Sequence, residues 1–500
     1  MDLTIKMLPG ECWWGGAVEH GSQMPLTEQS EYALDARVNP TANQFNGVFL
    51  SSEGRYIVFA GGGTVRAAGG ELRIGDTEGE IFSGKAGNTL KEAHKYVAEH
   101  FYQKPAALFP AAYMTEPQYC TWVETLVDVT QEKLLAYAES IRGNGLSGRL
   151  LIVDDGWMKD YGDWRFDERK FPDAKGTIGK LKELGFDVVL WCVPFVNEGC
   201  PDFPYLKGAG ALVTDGKGGL VIDEWWNGKS AVLDLSKPAA REWFGAKLEA
   251  LVRDYGVVGF KFDAGGPVFY PKDGAVSPNE QSRLWSEFGT KYGYVELREC
   301  VGLGGAAIAQ RLCDKPLNWK RGLSVLAPDI IQCGLLGYYY CCADMVGGGN
   351  ISDYADLKNF DEEFYLRSCQ CAALFPVIQF SYALWRRTDA LKKAVRSVCE
   401  LRRSLQPYFE ELIEGARTRG EPIVRNLEYE FPHQGLAAVK DVFLLGSNYL
   451  VSPVVCGGER RKKIVLPQGT RWRYLPDGSI YEGEADVACD LETLPVFERV

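Results

Sequence analysis

The stretch "PAAREWFGAKLEALVRDYGVVGFKFDAGGP", Pro238 to Pro267, changes its hydrophobic period part-way through. In its first half Phe244, Leu248, Leu251, Val252 and Tyr255 recur at helical spacing, and Gly256 offers a C-terminal cap. "VVGFKF" then reads as a short buried strand that ends in Asp263 and two glycines. A helix running directly into a buried strand is one half of a parallel β/α unit.

The same unit recurs on both sides. "VTQEKLLAYAESIRGNG" places Leu134, Ala138 and Ile141 on one helical face between a capping Thr130 and the stop at Gly143 and Gly145, and "RLLIVDDGW" follows as a strand. "IGKLKELG" leads likewise to "FDVVLWCVPF". Two parallel architectures compete, the open doubly wound sheet and the closed (β/α)8 barrel. No glycine-rich phosphate turn follows an early strand, and "VGLGGAA" (Val301 to Ala307) precedes a strand. Acids do recur at strand ends: Asp154, Asp155, Asp263, Asp314 and Asp344. Only a barrel brings all strand C-termini to one mouth, so the fold class expected is α/β, a TIM barrel. The barrel is assigned to residues 117–385, after a β-rich N-terminal domain (1–116) of short segments such as "RYIVFAGG" and "GELRIGD". Linking helices and a C-terminal β-sandwich occupy 386–500.

Composition narrows the function. A formal charge of −12 with no basic block large enough to offset it argues against nucleic acid or an anionic membrane as a partner, and "ERRKK" (Glu459 to Lys463) reads as a solvated loop. No run approaches a membrane span, and no secretory signal is visible, so a cytoplasmic location is expected, with the 14 cysteines as free thiols. The cysteines form no Cys-x-x-Cys pair and the four histidines are scattered, so neither a metal nor another cofactor is implied. Homo-oligomerisation is left open.

The strand-end acids suit general acid/base and nucleophilic work. Lys261 and Asp263 share the inward face of their strand, whereas Phe260 and Phe262 point outward. A cation two residues away holds Asp263 ionised, as a nucleophile requires, and Gly265 and Gly266 leave room for a ligand. The structural alternative is an ion pair that only closes the barrel end. "AIAQRLCDKPLNW" supplies a second acid, Asp314, with Arg311 three residues before it, and here too a structural pair is the alternative. Two carboxylates on different strands suit a retaining glycosidase at a separation of roughly 5–5.5 Å, or an inverting one at about 6.5–9.5 Å.

Five stretches in order resemble glycoside hydrolase family 31: "IVDDGWMKDYGDWRFDERKFPD", "EWWNGKSAVLDLSKPAAREWF", "FKFDAG", "DKPLNWKRGL" and "GYYYCCADMVGG". "LLGSNYLVSPVV" and "LETLPVFER" are similar to its C-terminal sandwich, and "WCVPFVN", "WWNG", "ADMVGG" and "FPVIQFS" resemble a branch associated with α-galactoside hydrolysis. The resemblance implies Asp263 as nucleophile and Asp314 as acid/base. It also implies Asp154, with the neighbouring Asp155, as ligands for sugar hydroxyls, Lys261 and Arg311 as polar partners, Trp191 and Trp226 as pocket walls, and Trp14 in "CWWGGA" reaching the same mouth from the N-terminal domain. The expected activity is that of a retaining, exo-acting α-glycosidase on a small oligosaccharide or glycoside with a terminal α-linked hexose, α-galactose first. α-Glucosidase action and noncatalytic carbohydrate binding are the alternatives. Many α-glucosidases of the family carry a histidine shortly after the proline of the last barrel strand, where this chain has Ser381 after Pro376, which counts against glucose.

Overall fold

Eight parallel strands close into a barrel in the computed structural model, which describes residues 2–354 and 360–500. In chain order they are β1 (Gln118–Cys120), β2 (Leu150–Val153), β3 (Asp187–Cys192), β4 (Gly259–Phe262), β5 (Tyr294–Leu297), β6 (Ala309–Arg311), β7 (Tyr340–Met345) and β8 (Val377–Phe380). Sequence neighbours pair throughout, and β8 closes on β1 with Gln379 opposite Gln118. Parallel neighbours need a crossover, and helices such as Gln131–Gly143 and Pro238–Tyr255 provide it. The first begins where Thr130 accepts the Lys133 amide. The second has proline in its first turn and ends at Gly256, whose φ of 67° only glycine adopts without strain. Its inward stripe is narrower than the spacing predicts: Phe244, Leu248 and Leu251 are buried, but Val252 is exposed.

Strand alternation then sorts β4. Phe260 and Phe262 face outward, onto Tyr292 and Trp285, while Lys261 lies level with Trp191 on β3 and Glu296 on β5. Before the barrel come two four-stranded antiparallel sheets and a helix, Leu90–His100, which a purely β-rich assignment of this region does not contain. The sheets brace the site. Gln44 donates to the carbonyls of Arg298 and Arg311, and Asn43 accepts the Cys313 amide, so this layer fixes the ends of β5 and β6.

After the barrel, helices Asp389–Ser404 and Gln406–Arg419 lead to a six-stranded sheet and a two-stranded ribbon. The basic run expected as a solvated loop falls largely in that ribbon, within Arg461–Val465. Alternation turns Lys462 inward, where it donates to the Pro453 carbonyl at 2.7 Å and pairs with Asp441.

Candidate active site

The C-terminal ends of the barrel strands surround a cavity of about 390 Å³. Asp154 and Asp155 reach it from the end of β2, Trp191 from β3, Lys261 and Asp263 from β4, Arg298 from β5, and Arg311 and Asp314 from β6. Trp226, on the Ile222–Val232 hairpin, stands half-exposed at the rim with Asn227, Trp122 and Ile351.

Asp263 is held on three sides. Its Oδ1 accepts the Ala264 amide at 2.8 Å and lies 3.2 Å from Arg298 Nε, and its Oδ2 accepts the Trp191 indole at 3.0 Å. Ala264 has a φ of 50°, rare outside glycine, and that turn aims its N–H back at Asp263. Burial alone raises the proton affinity of Asp263, but Arg298, then Lys261 and Arg311, outweigh it and hold the carboxyl well below the usual range. Asp263 is therefore a carboxylate at neutral pH.

Lys261 does not pair with Asp263 as expected. Its Nζ sits 2.7 Å from Asp154 Oδ2, and that contact keeps it protonated against its burial. Asp154 also accepts from the Cys120 thiol at 3.0 Å. Asp155, next to it, receives the Tyr161 hydroxyl as its one side-chain donor among the described residues, and burial followed by the charge of Asp154 pushes its pKa up to about 7. Two adjacent acids thus differ: Asp154 is held as an ion pair through its Oδ2, whereas Asp155 meets no cation among the described residues.

Asp314 is the most accessible of the acids at 30% side-chain exposure. Arg311 Nη1 approaches its Oδ1 at 2.8 Å, and Arg298 Nη1 lies 4.0 Å from its Oδ2. Arg298 therefore spans the two carboxylates on β4 and β6, with its guanidinium over the Trp226 ring. A largely buried cation between two acids, in a cavity walled by tryptophans, fits hydroxyl-rich ligands and acid-assisted bond cleavage.

Comparison with known proteins agrees. The family description "Glycosyl hydrolases family 31 TIM-barrel domain" matches residues 107–300, and "Glycosyl hydrolase family 31 C-terminal domain" matches 420–500. The chain belongs to glycoside hydrolase family 31. Among curated proteins it is 32% identical over 402 residues to the mouse myogenesis-regulating glycosidase, covering 77% of this chain and 56% of that protein. It is 24% identical over 412 residues to α-glucosidase 2 of Bacillus thermoamyloliquefaciens, covering 74% and 50%. The chain thus spans about half the length of these curated relatives. A Flavobacterium johnsoniae family 31 dextranase in complex with glucose superposes with a TM-score of 0.87 at 20% identity, over all of this chain and 66% of that one. A soil-metagenome α-xylosidase does so at 0.84 and 21%, over all of this chain and 79% of that one.

Within this family 31 barrel two further expectations need correction. Trp14 does not line the cavity. It is buried on the strand Trp13–Ala17, which docks on the barrel's outer wall through Gln332 and the Gly15 carbonyl, and it lines a separate small space with Pro328 and Ile331. Gly265 and Gly266 do not make room for a ligand: a Cβ at the first would collide with Trp285, and one at the second with Glu299. Ser381, at the position compared with the histidine, spends its hydroxyl on the Val123 amide at 2.7 Å. Arg298 joins the site without having been expected there, although it follows β5 just as Asp263 follows β4.

Proposed function

We propose that the chain is a retaining, exo-acting α-glycosidase that hydrolyses a terminal α-linked hexose, with α-galactose its preferred sugar. The observation that carries this is the placement of Asp263 and Asp314 on one cavity, bridged by Arg298. Asp263 Oδ2, with one donor where Oδ1 has an amide and a guanidinium, is the freer oxygen to attack the anomeric carbon. As that bond forms, the bond to the leaving oxygen breaks with its electron pair, and Asp314 delivers a proton to that oxygen. Asp314, now a carboxylate, takes a proton from water, whose oxygen displaces Asp263 and returns the anomeric configuration. Asp154 and Asp155 accept sugar hydroxyls, while Trp191 and Trp226 offer apolar walls. Buried Lys261 and Trp191 at the base suit a chain end rather than a chain interior.

The galactose preference draws on the branch-specific stretches and on Ser381 being committed to backbone. Parallel assays with 4-nitrophenyl α-galactoside and α-glucoside decide it, with faster turnover of the galactoside expected. The first product detected by proton NMR is expected to be the α-anomer, and a β-anomer would remove the nucleophile role. Asp263→Ala is expected to lower kcat by about 10⁴-fold or more while sugar binding persists. Binding without turnover by the unaltered chain would favour the noncatalytic alternative.

A further inference from the structure

Asp344, the penultimate residue of β7, lies in the left-handed backbone region with a φ of 85° and is absent from the described residues lining the cavity. Yet it meets the same atom as Asp314: Arg311 Nη1 lies 2.8 Å from Asp344 Oδ1 and 2.8 Å from Asp314 Oδ1, and Arg311 Nε lies 3.4 Å from Glu296 Oε1. Its other oxygen, Oδ2, accepts the amides of Lys315 and Gly349 at 2.7 Å each, which ties it to both loops around Asp314. Gly349 keeps the gap between the two acids free, since a Cβ there would lie 2.7 Å from Asp314 Oδ1 and 3.0 Å from Asp344 Oδ1.

The chemistry poses a problem that Asp344 answers. A carboxylate alone with a buried guanidinium is stabilised in its ionised form, whereas an acid catalyst must hold a proton before it gives one up. Building on the assignment of Asp314 as acid/base, we propose that Asp344 is a positioning residue that shares Arg311 with Asp314, offsets the cation's charge, and so lets Asp314 carry the proton it delivers. Among the described residues the other titratable groups facing the cluster are Glu296 from β5, itself held by Gln379 on β8, Lys261 and Asp263 from β4, Arg298 at the end of β5, the Cys342 thiol on β7, the Cys313 thiol after β6 and the Tyr354 hydroxyl. Burial and the charge of Asp314 raise the proton affinity of Asp344 against the pull of Arg311, as expected of two acids competing for one cation.

Asp344→Asn is the direct test, because an amide oxygen can keep both backbone contacts while the charge facing Arg311 disappears. For a glycoside with a sugar or alkyl leaving group, the alkaline limb of kcat/KM is expected to move down by about one pH unit, with a fall of up to about 10-fold at neutral pH. For a 2,4-dinitrophenyl glycoside, whose leaving group needs little proton donation, kcat/KM is expected to stay within about threefold of the unaltered chain. Equal losses on both substrates with an unmoved limb would mean that Asp344 only holds the loops, and would overturn the proposal. Should D344N not fold, Arg311→Gln is read instead: an alkaline limb moved to higher pH supports the sharing of one cation, and an unmoved or lowered limb overturns it. Asp314→Asn is run alongside. Loss of kcat/KM confined to poor leaving groups upholds the acid/base role independently of Asp344, and an equal loss of kcat/KM on both overturns that role and this proposal together.

Discussion

The barrel buries arginines at both ends and treats them differently. At the mouth, Arg298 and Arg311 meet carboxylates: Asp263, Asp314 and Glu299 for the first, and Asp314, Asp344 and Glu296 for the second. At the opposite end Arg402, on the helix Asp389–Ser404, donates to the carbonyls of Met114, Thr115, Ala373, Phe375 and Pro376, which lie just before β1 and β8. Carbonyls satisfy a guanidinium's protons without carrying a full charge, and burial pushes the Arg402 pKa down to about 9. Arg298 and Arg311 move the other way, because their carboxylates outweigh burial. Dipoles can hold a fold together, but they do not exchange protons with a substrate. The carboxylate-bound arginines therefore belong to chemistry and the carbonyl-bound one to stability, as the two ends of such barrels generally divide.

Removing each kind of arginine gives the largest expected effects. Arg402→Met leaves five buried carbonyls without a donor and is expected to cost about 3–5 kcal/mol in urea denaturation, with unchanged activity per folded molecule. Arg298→Met is expected to keep the cooperative unfolding transition and to lower kcat/KM by about 10³-fold, through loss of the charge that spans both acids. An R402M chain as stable as the original, or an R298M chain of normal activity, would break the division between the two ends.

A smaller effect separates two glycines at the mouth. Gly349 has ordinary backbone angles, so Gly349→Ala adds a methyl 2.5 Å from the flexible end of Met345 and 2.7 Å from Asp314 Oδ1, and a 10- to 100-fold loss of kcat/KM with a small stability change is expected. Gly265 has a φ of 70° and abuts Trp285 in the helix Pro278–Gly289, so Gly265→Ala is expected to appear first in stability, by about 1–3 kcal/mol. Equal activity losses at matched stability would show that both glycines serve the site alike.

The contrast also explains what could be read from sequence. The barrel was legible because each unit repeats the same change of period, and Asp263 and Asp314 were legible because a charge ends an apolar run. Partners were not. Lys261 is two residues from Asp263 in sequence but turns to Asp154, 107 residues away, because the barrel's register brings β2 within reach of β4. The glycines after Asp263 face Trp285 and Glu299, which belong to the next β/α unit. Trp14 was misplaced because "CWWGGA" reads as a strand but does not encode which side of the barrel its sheet docks on. Arg298 had the same signal as Asp263, a charge at the end of "YVEL", but Glu296 interrupts that short run and weakens it as a strand signal.

Glu299, beside Arg298, provides the finest test of the mouth. It is buried, its Oε1 lies 3.6 Å from Arg298 Nη2, and its Oε2 has no hydrogen-bond partner among the described residues. Burial, aided by Asp263 and opposed by Arg298, pushes its pKa up to about 7. An unfolded glutamate titrates near 4.3, at roughly its free value, so between about pH 4 and 7 the folded chain holds a proton that the unfolded chain releases, and stability falls as pH rises through that window. Asp263 acts in the opposite sense: its folded carboxyl is held low, so its contribution is present above about pH 4 and is lost below it. Glu299→Gln removes the first slope and leaves the second. In urea denaturation the variant is expected to match the original chain near pH 4 and to exceed it by up to about 3 kcal/mol at pH 8. Asp155 adds a slope of the same sign to both chains and cancels in that difference. A difference that does not change between pH 4 and 8 would mean that Glu299 ionises as freely in the fold as in water, and that its charge adds to that of Asp263 beside Arg298.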